Sequence, residues 1–222
     1  MIHAVIFNLD GVLVRTDECH YQAWAQLAHE QGILLQPDLY VKMMGMKRMD
    51  SLRVLLKKAE RDYTPSEMWA LSVRKNDLFN AQVDALDQES VMPGALETVI
   101  ALRNMGLKTA VASSSENAAC ILRQLHIDQW FDVVVDGGDV QSGKPDPEVY
   151  LTAARRLSMP TGECLVVEST PAGQASAHQA GMRCLMIRNP YGENKEQYLP
   201  AHLAELDLVS LLNSEYRIGR GN

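Results

Sequence analysis

Three apolar runs of this sequence end in groups that can do chemistry. The run at 3–7 gives way to Asn8-Leu9-Asp10-Gly11, that at 108–112 to Ser113, Ser114 and Ser115, and that at 164–167 to Glu168, Ser169 and Thr170. Lys144 follows a fourth run, 132–136, after a glycine-bearing loop. Carboxylates, hydroxyls and one cation on a single rim suit a phosphoryl group with a divalent cation. Hydroxyls and backbone N–H groups hold phosphate oxygens, the lysine offsets charge, and oxygen ligands hold Mg2+. Position 8 departs from this logic, because an amide stands where a carboxylate is wanted.

The elements that must position these groups follow from the patterning. The runs at 3–7, 108–113, 132–136, 164–168 and 183–187 are short and apolar, several of them rich in valine and isoleucine, the pattern of strands buried on both faces. Between the later ones, residues 94–106, 115–127, 146–159 and 171–182 have helical spacing. This alternation predicts an α/β fold with a doubly wound parallel sheet. Residues 17 to about 87 break the rhythm: 17–32, 51–62 and 65–86 are helical in period, with no strand run among them. The expected division is a core of residues 1–15 and 88–222 with a helical cap, 16–87, inserted after strand one. Met92-Pro93-Gly94 marks the return to the core. A cap at that point overhangs the carboxyl ends of the strands, where open α/β sheets bind ligands.

Composition narrows the partner. With 222 residues and 46% hydrophobic content the chain can bury one large core and a smaller insert. A net charge of −7 argues against nucleic acid or an anionic membrane surface. No run approaches about 18 apolar residues, and the N-terminus turns polar too soon for a secretory signal. A cytoplasmic monomer acting on a small molecule is expected. Cys19, Cys120, Cys164 and Cys184 form no CxxC pair and read as small buried hydrophobes in a reducing compartment.

Asn8-Leu9-Asp10-Gly11, Ser113, Lys144-Pro145 and Glu168-Ser169, in that order, resemble the four motifs of the haloacid dehalogenase superfamily over nearly the whole chain. Within it the cap is most similar to that of the β-phosphoglucomutases. It carries Thr16, His20, Ala23 and Trp24 in a T-x-x-x-H-x-x-A-W pattern, a Gly45-Met46-Lys47-Arg48 specificity loop, and Arg74-Lys75-Asn76-Asp77. The resemblance implies phosphoryl transfer on a small phosphorylated metabolite, a sugar phosphate, through an aspartyl phosphate at position 8. It makes Asp10 the general acid and base, with His20 coupling cap closure to it. Ser113 and the Ser114 backbone bind the transferring phosphate and Lys144 neutralises it. Mg2+ is expected among Asn8, Asp10, Glu168 and Ser169. Substrate contacts fall to Gly11, Thr16, Trp24, Gly45, Arg48, Lys75, Asn76, Ser114, Ser115 and Asn117, with Arg48 on a distal phosphate.

Three positions depart from that family pattern. Asn8 replaces the nucleophilic aspartate, and an amide oxygen is a poor nucleophile and a weak cation ligand. Ser169 stands where an acid is usual, and Glu116 where β-phosphoglucomutases commonly carry a lysine for the distal phosphate. Turnover is therefore expected to be impaired. Asn8 is open to three readings: a strand-end turn former, a natural pseudoenzyme that binds or senses a phosphorylated ligand, or a deliberate substitution in an active enzyme. Taken alone, His20 and Arg48 also read as surface groups, Ser113 to Ser115 as a helix cap, and Met43, Met44, Met46 and Met49 as cap packing.

Overall fold

The computed structural model describes residues 1–191, 199–206 and 212. Its centre is a five-stranded sheet of β1 (Ala4–Phe7), β2 (Lys108–Ala112), β3 (Val133–Val135), β4 (Cys164–Glu168) and β5 (Arg183–Met186), in the order β3-β2-β1-β4-β5. Every pairing is parallel, with Phe7 opposite both Val111 and Val167. β1, β2 and β4 are 4 or 5 residues long and buried but for Lys108, so continuous apolar runs replace alternation, whereas the 3-residue β3 at the sheet edge buries only Val135 fully. Alternate residues still choose faces. Val5, Phe7, Val111 and Val167 pack with Val99, Leu102, Ile121 and Leu122 of α5 (Ala95–Asn104) and α6 (Ala118–Gln124). Ala4, Ile6, Ala112 and Val166 pack with Tyr150, Ala153 and Ala177 of α7 (Glu148–Leu157) and α8 (Pro171–Gln179). Helices on both faces make the sheet doubly wound, as the sequence predicts.

The chain leaves β1, crosses to β2 and β3, then returns to the other side of β1 for β4. That reversal opens a crevice at the carboxyl ends of the central strands. Since β1 lies between β2 and β4 in register, Asn8, Ser113 and Glu168 emerge side by side on one edge.

Between β1 and α5 lie α1 (Asp17–Glu30), α2 (Pro37–Met43), α3 (Arg48–Leu56) and α4 (Pro65–Val83). Their apolar faces form a separate cluster around Trp24, Leu27, Tyr40, Met43, Leu52 and Leu55. Helix α4 opens on a Thr64–Glu67 capping box with Pro65 in its first turn. Two details differ from the sequence expectation. Helix α2 was not foreseen, because two turns are too short to show a period. Helix α3 begins at Arg48 and stops at Leu56 rather than running from 51 to 62, because beyond Leu56 the sequence turns to Lys57-Lys58 and offers little to bury.

Cys19, Cys164 and Cys184 are buried, Cys120 is exposed, and all four are free thiols. No helix among the described residues is long and apolar enough to cross a membrane.

Candidate functional site

Lys144 forms the floor of the crevice. Its ammonium donates to Asn8 Oδ1 at 2.9 Å, to the Ala112 carbonyl at 3.2 Å and to Glu168 Oε1 at 2.6 Å. A lysine has three donors, so all of them are engaged within the protein. Its charge still acts across space on whatever lies above Asn8. These partners also fix the Asn8 amide. The atom facing a pure donor must be the oxygen, which turns Nδ2 toward the Asp10 carbonyl, a pure acceptor, at 3.2 Å.

Glu168 is fully buried, and its carboxylate is saturated. Oε1 also accepts from the Tyr150 hydroxyl at 2.7 Å. Oε2 accepts from the Ser169 and Thr170 backbone N–H groups at 2.7 and 2.9 Å and from Thr170 Oγ1 at 3.1 Å. A charge so placed is tolerated only because it is paired and hydrogen-bonded. Gly173, in the first turn of α8, makes room for it: a Cβ there would lie 1.8 Å from Glu168 Oε1.

Asp10 faces the cap. Thr16 Oγ1 donates to its Oδ1 at 2.6 Å, and His20 Nε2 lies 3.5 Å from the same oxygen. On the other side of the ring, Lys75 Nζ is 2.7 Å from His20 Nδ1. Because lysine donates, Nδ1 accepts and Nε2 carries the proton toward Asp10. The ring stacks on Phe79 at 4.0 Å, and Lys75 Nζ lies 5.0 Å above the Trp24 ring. Burial, with the Lys75 charge adding to it, pulls the His20 pKa down despite Asp10. Burial alone would raise the Asp10 carboxyl, but the attraction and hydrogen bond from His20, then Thr16 and Lys144, hold it below the usual range. Burial lowers Lys75 to about 7, against the pull of Asp10 and with the help of Arg48. At neutral pH the site thus presents an ionised Asp10, a neutral His20 and a lysine at the edge of titration.

Cap and core enclose a cavity of about 370 Å³. Asn8, Asp10, His20, Trp24, Gly45, Arg48, Lys75, Asn76, Ser114, Ser115, Asn117 and Thr170 line it, among others. Ser113 does not: it is buried, and its hydroxyl accepts from the Ser115 N–H at 3.1 Å, which shapes the turn. The Ser114 hydroxyl accepts from the Lys144 N–H at 3.2 Å. Helix α6 has Asn117 as its N-cap residue, so the three serines do not cap it. Arg48 donates to Ser72 Oγ, Asn76 Oδ1 and, across the cleft, Glu116 Oε2 at 2.7 Å. Asn117 donates to Asn76 Oδ1 at 3.0 Å. Gly45, at φ +77°, brings the cap loop onto the core, where a Cβ would lie 2.6 Å from Thr170 Oγ1. Gly11 lies beside Ser169, and Thr16 is fully buried behind Asp10. The core's α8 and the cap's α2 are in direct contact. Met43 and Met44 are buried in the cap cluster, while Met46 and Met49 are only partly covered and all four line the cavity.

The donor set expected for Mg2+ does not fit a cation. Asn8 presents its NH2 to the Asp10 carbonyl, and the Ser169 hydroxyl donates to the same carbonyl at 3.3 Å. The Glu168 oxygens are saturated as described. Among the described residues, no group of three or more His, Cys, Asp and Glu side chains is disposed to hold a metal ion.

The sequence does not mark Tyr150 and Asp17 as site residues, and it marks Thr170 only as a strand-end group. Thr170 before Pro171 carries a helix-start signal, and its hydroxyl does accept from the Gly173 N–H at 3.0 Å. Nothing local marks Tyr150, whose partner is 18 residues away. Asp17 lines the cavity with a buried Oδ1 that lacks a hydrogen-bond partner, and burial, then the Asp10 charge, raises its carboxyl pKa.

A family model of haloacid dehalogenase-like hydrolases matches residues 2–181. A β-phosphoglucomutase of Bacillus subtilis (strain 168) is 38% identical over 181 residues, covering 81% of this chain and 80% of its own. A phosphorylated carbohydrates phosphatase of Thermotoga maritima is 30% identical and covers 82% of each chain. Among solved structures, a β-phosphoglucomutase of Clostridium difficile superposes with a TM-score of 0.80 at 29% identity, over 88% of this chain and 87% of that one.

Proposed function

The chain belongs to the haloacid dehalogenase-like hydrolase family, and from that premise we propose that it binds a small phosphorylated metabolite of the sugar-phosphate class. The ligand occupies the cap–core cleft of a phosphoryl-transfer scaffold whose turnover is blocked at position 8. The observation that carries this reading is the Asn8–Lys144 contact at 2.9 Å. It puts an amide oxygen, hydrogen-bonded to an ammonium, where an attacking carboxylate would have to stand. No aspartyl phosphate forms there, and loss of a covalent nucleophile costs on the order of 10⁴ or more in rate.

The rest of the cleft supports a phosphorylated ligand. Lys144 and Lys75 supply positive charge, and Ser114, Ser115 and Asn117 offer polar groups along one wall. Asp10, with the His20 proton turned toward it, keeps the geometry of an acid–base group. The names of the B. subtilis and T. maritima relatives favour a phosphorylated carbohydrate as the ligand. The Arg48–Glu116 pair favours one phosphate over two, since a distal phosphate approaching Arg48 meets a carboxylate already bound to it. Mg2+, implied by the family resemblance, has no fitting ligand set among Asn8, Asp10, Glu168 and Ser169.

Calorimetric titration with β-glucose 1-phosphate, glucose 6-phosphate and glucose 1,6-bisphosphate tests this reading. Binding of a monophosphate without release of phosphate or interconversion is expected. Asn8→Asp, alone and with Ser169→Asp, should introduce turnover in assays of both glucose 6-phosphate and free phosphate. Rapid turnover by the unsubstituted protein, or no binding across the panel, would exclude it.

A further inference from the structure

We infer that this cleft binds its phosphorylated ligand without a divalent cation, because two hydrogen-bond donors, Asn8 Nδ2 and Ser169 Oγ, already occupy the Asp10 carbonyl that a cation would need. The inference rests on the phosphorylated-ligand reading above and concerns how that ligand's charge is met.

Two of the three departures from the family pattern, Asn8 and Ser169, converge on one atom. Asn8 Nδ2 lies 3.2 Å and Ser169 Oγ 3.3 Å from the Asp10 carbonyl oxygen. A cation in that place would bring a positive charge against N–H and O–H groups that already point their hydrogens there. Rotating the Asn8 amide to offer its oxygen is blocked from below. The rotation would set the NH2 against the Lys144 ammonium, which now donates to Oδ1 at 2.9 Å. The third ligand fares no better. The Glu168 carboxylate receives five donors and has no solvent exposure, so it could reach a cation only by breaking a buried, charge-assisted network.

Charge counting agrees. Reducing two carboxylate positions to neutral groups removes two negative charges from the floor while Lys144 stays. The Lys144–Glu168 pair is neutral together, which leaves Asp10 and the buried Asp17 as the nearby acids. A dianionic phosphate then meets two fewer negative charges than the family pattern places there, with Lys75 beside the remaining acids, so less charge is left for a cation to offset. Asp17, whose buried Oδ1 has no hydrogen-bond partner in the cavity, is a carboxylate that could recruit a metal, so it belongs in the test.

The experiment has two independent arms on the protein as it stands. In the first, Mg2+ is titrated into the ligand-free protein by calorimetry and Mn2+ by electron paramagnetic resonance. No saturable binding is expected. Saturable binding by the unsubstituted protein overturns the inference, and its loss in Asp17→Asn would place the ion. In the second, glucose 6-phosphate and inorganic phosphate are titrated in EDTA and in Mg2+. Affinities equal within about twofold support the inference; a tenfold or greater gain with Mg2+ overturns it. Asn8→Asp/Ser169→Asp should acquire both saturable metal binding and a Mg2+-dependent affinity. If that variant does not fold, the thermal midpoint of the unsubstituted protein decides: it should not move with Mg2+, and a rise overturns the inference. Failure of every phosphorylated probe in both buffers overturns the ligand reading itself, a result distinct from metal dependence.

Discussion

Lys75 Nζ sits 2.7 Å from His20 Nδ1 and so sets the tautomer of the imidazole that faces Asp10. This contact ties a cap lysine to a core carboxylate through one ring, and it makes the cleft sensitive to pH. Burial holds the Lys75 pKa at about 7. The sign follows from the depressed value: the folded protein releases the Lys75 proton near neutrality, and the unfolded chain keeps it to about 10.4. The unfolded state therefore binds more protons across that window, and stability rises with pH from about 7 toward 10. Chemical denaturation at intervals across the window should show the rise, and Lys75→Met should remove it.

Ligand affinity should move the other way. Between about pH 6.5 and 8.5 a phosphate monoester is already mostly dianionic, so loss of the Lys75 charge should weaken binding by roughly threefold to tenfold. Lys75→Met should bind weakly at every pH and show a flat profile. A profile in the unsubstituted protein that stays flat through neutrality would separate Lys75 from the ligand.

The Glu168 network should govern stability. Lys144→Met removes the ammonium from a fully buried carboxylate and should destabilise the fold by about 3–5 kcal/mol, read from urea midpoints. Tyr150→Phe deletes one charge-assisted hydrogen bond and should cost about 1.5–3 kcal/mol. Gly173→Ala forces a methyl to within 1.8 Å of Glu168 Oε1 and should cost several kcal/mol, whereas Gly162→Ala, with nothing within 4 Å of the added Cβ, should change little.

The strands and the doubly wound order were legible because five apolar runs can be read one residue at a time. The polar strand ends were legible for the same reason, since β1, β2 and β4 deliver them to a common edge whatever their partners are. What sequence could not supply was the direction of each hydrogen bond. Asn8 reads as a missing nucleophile, but its service as a donor to the Asp10 carbonyl depends on Lys144, which is 136 residues away. Glu168 reads as a metal ligand, and only the packing of Tyr150 and the turn at Thr170 reveal that its oxygens are taken. Glu116 reads as a repulsive charge facing a phosphate, and the fold shows it paired to Arg48.

That pairing yields the last prediction. Arg48 and Glu116 meet at 2.7 Å across the cleft, with side-chain exposures of 25% and 52%. An ion pair this exposed contributes at most about 1 kcal/mol, so Glu116→Lys should barely change the thermal midpoint. Its effect on ligand choice should be larger. The substitution frees the guanidinium and turns a repulsive charge into an attractive one at the cavity wall. Affinity for glucose 1,6-bisphosphate should rise by about tenfold or more relative to glucose 6-phosphate, and the gain should shrink at high salt. Glu116→Gln should give an intermediate gain, since it removes the repulsion without adding a cation. Unchanged relative affinities in both variants would show that no distal phosphate reaches Arg48, and would place the ligand wholly on the Lys144 side of the cleft.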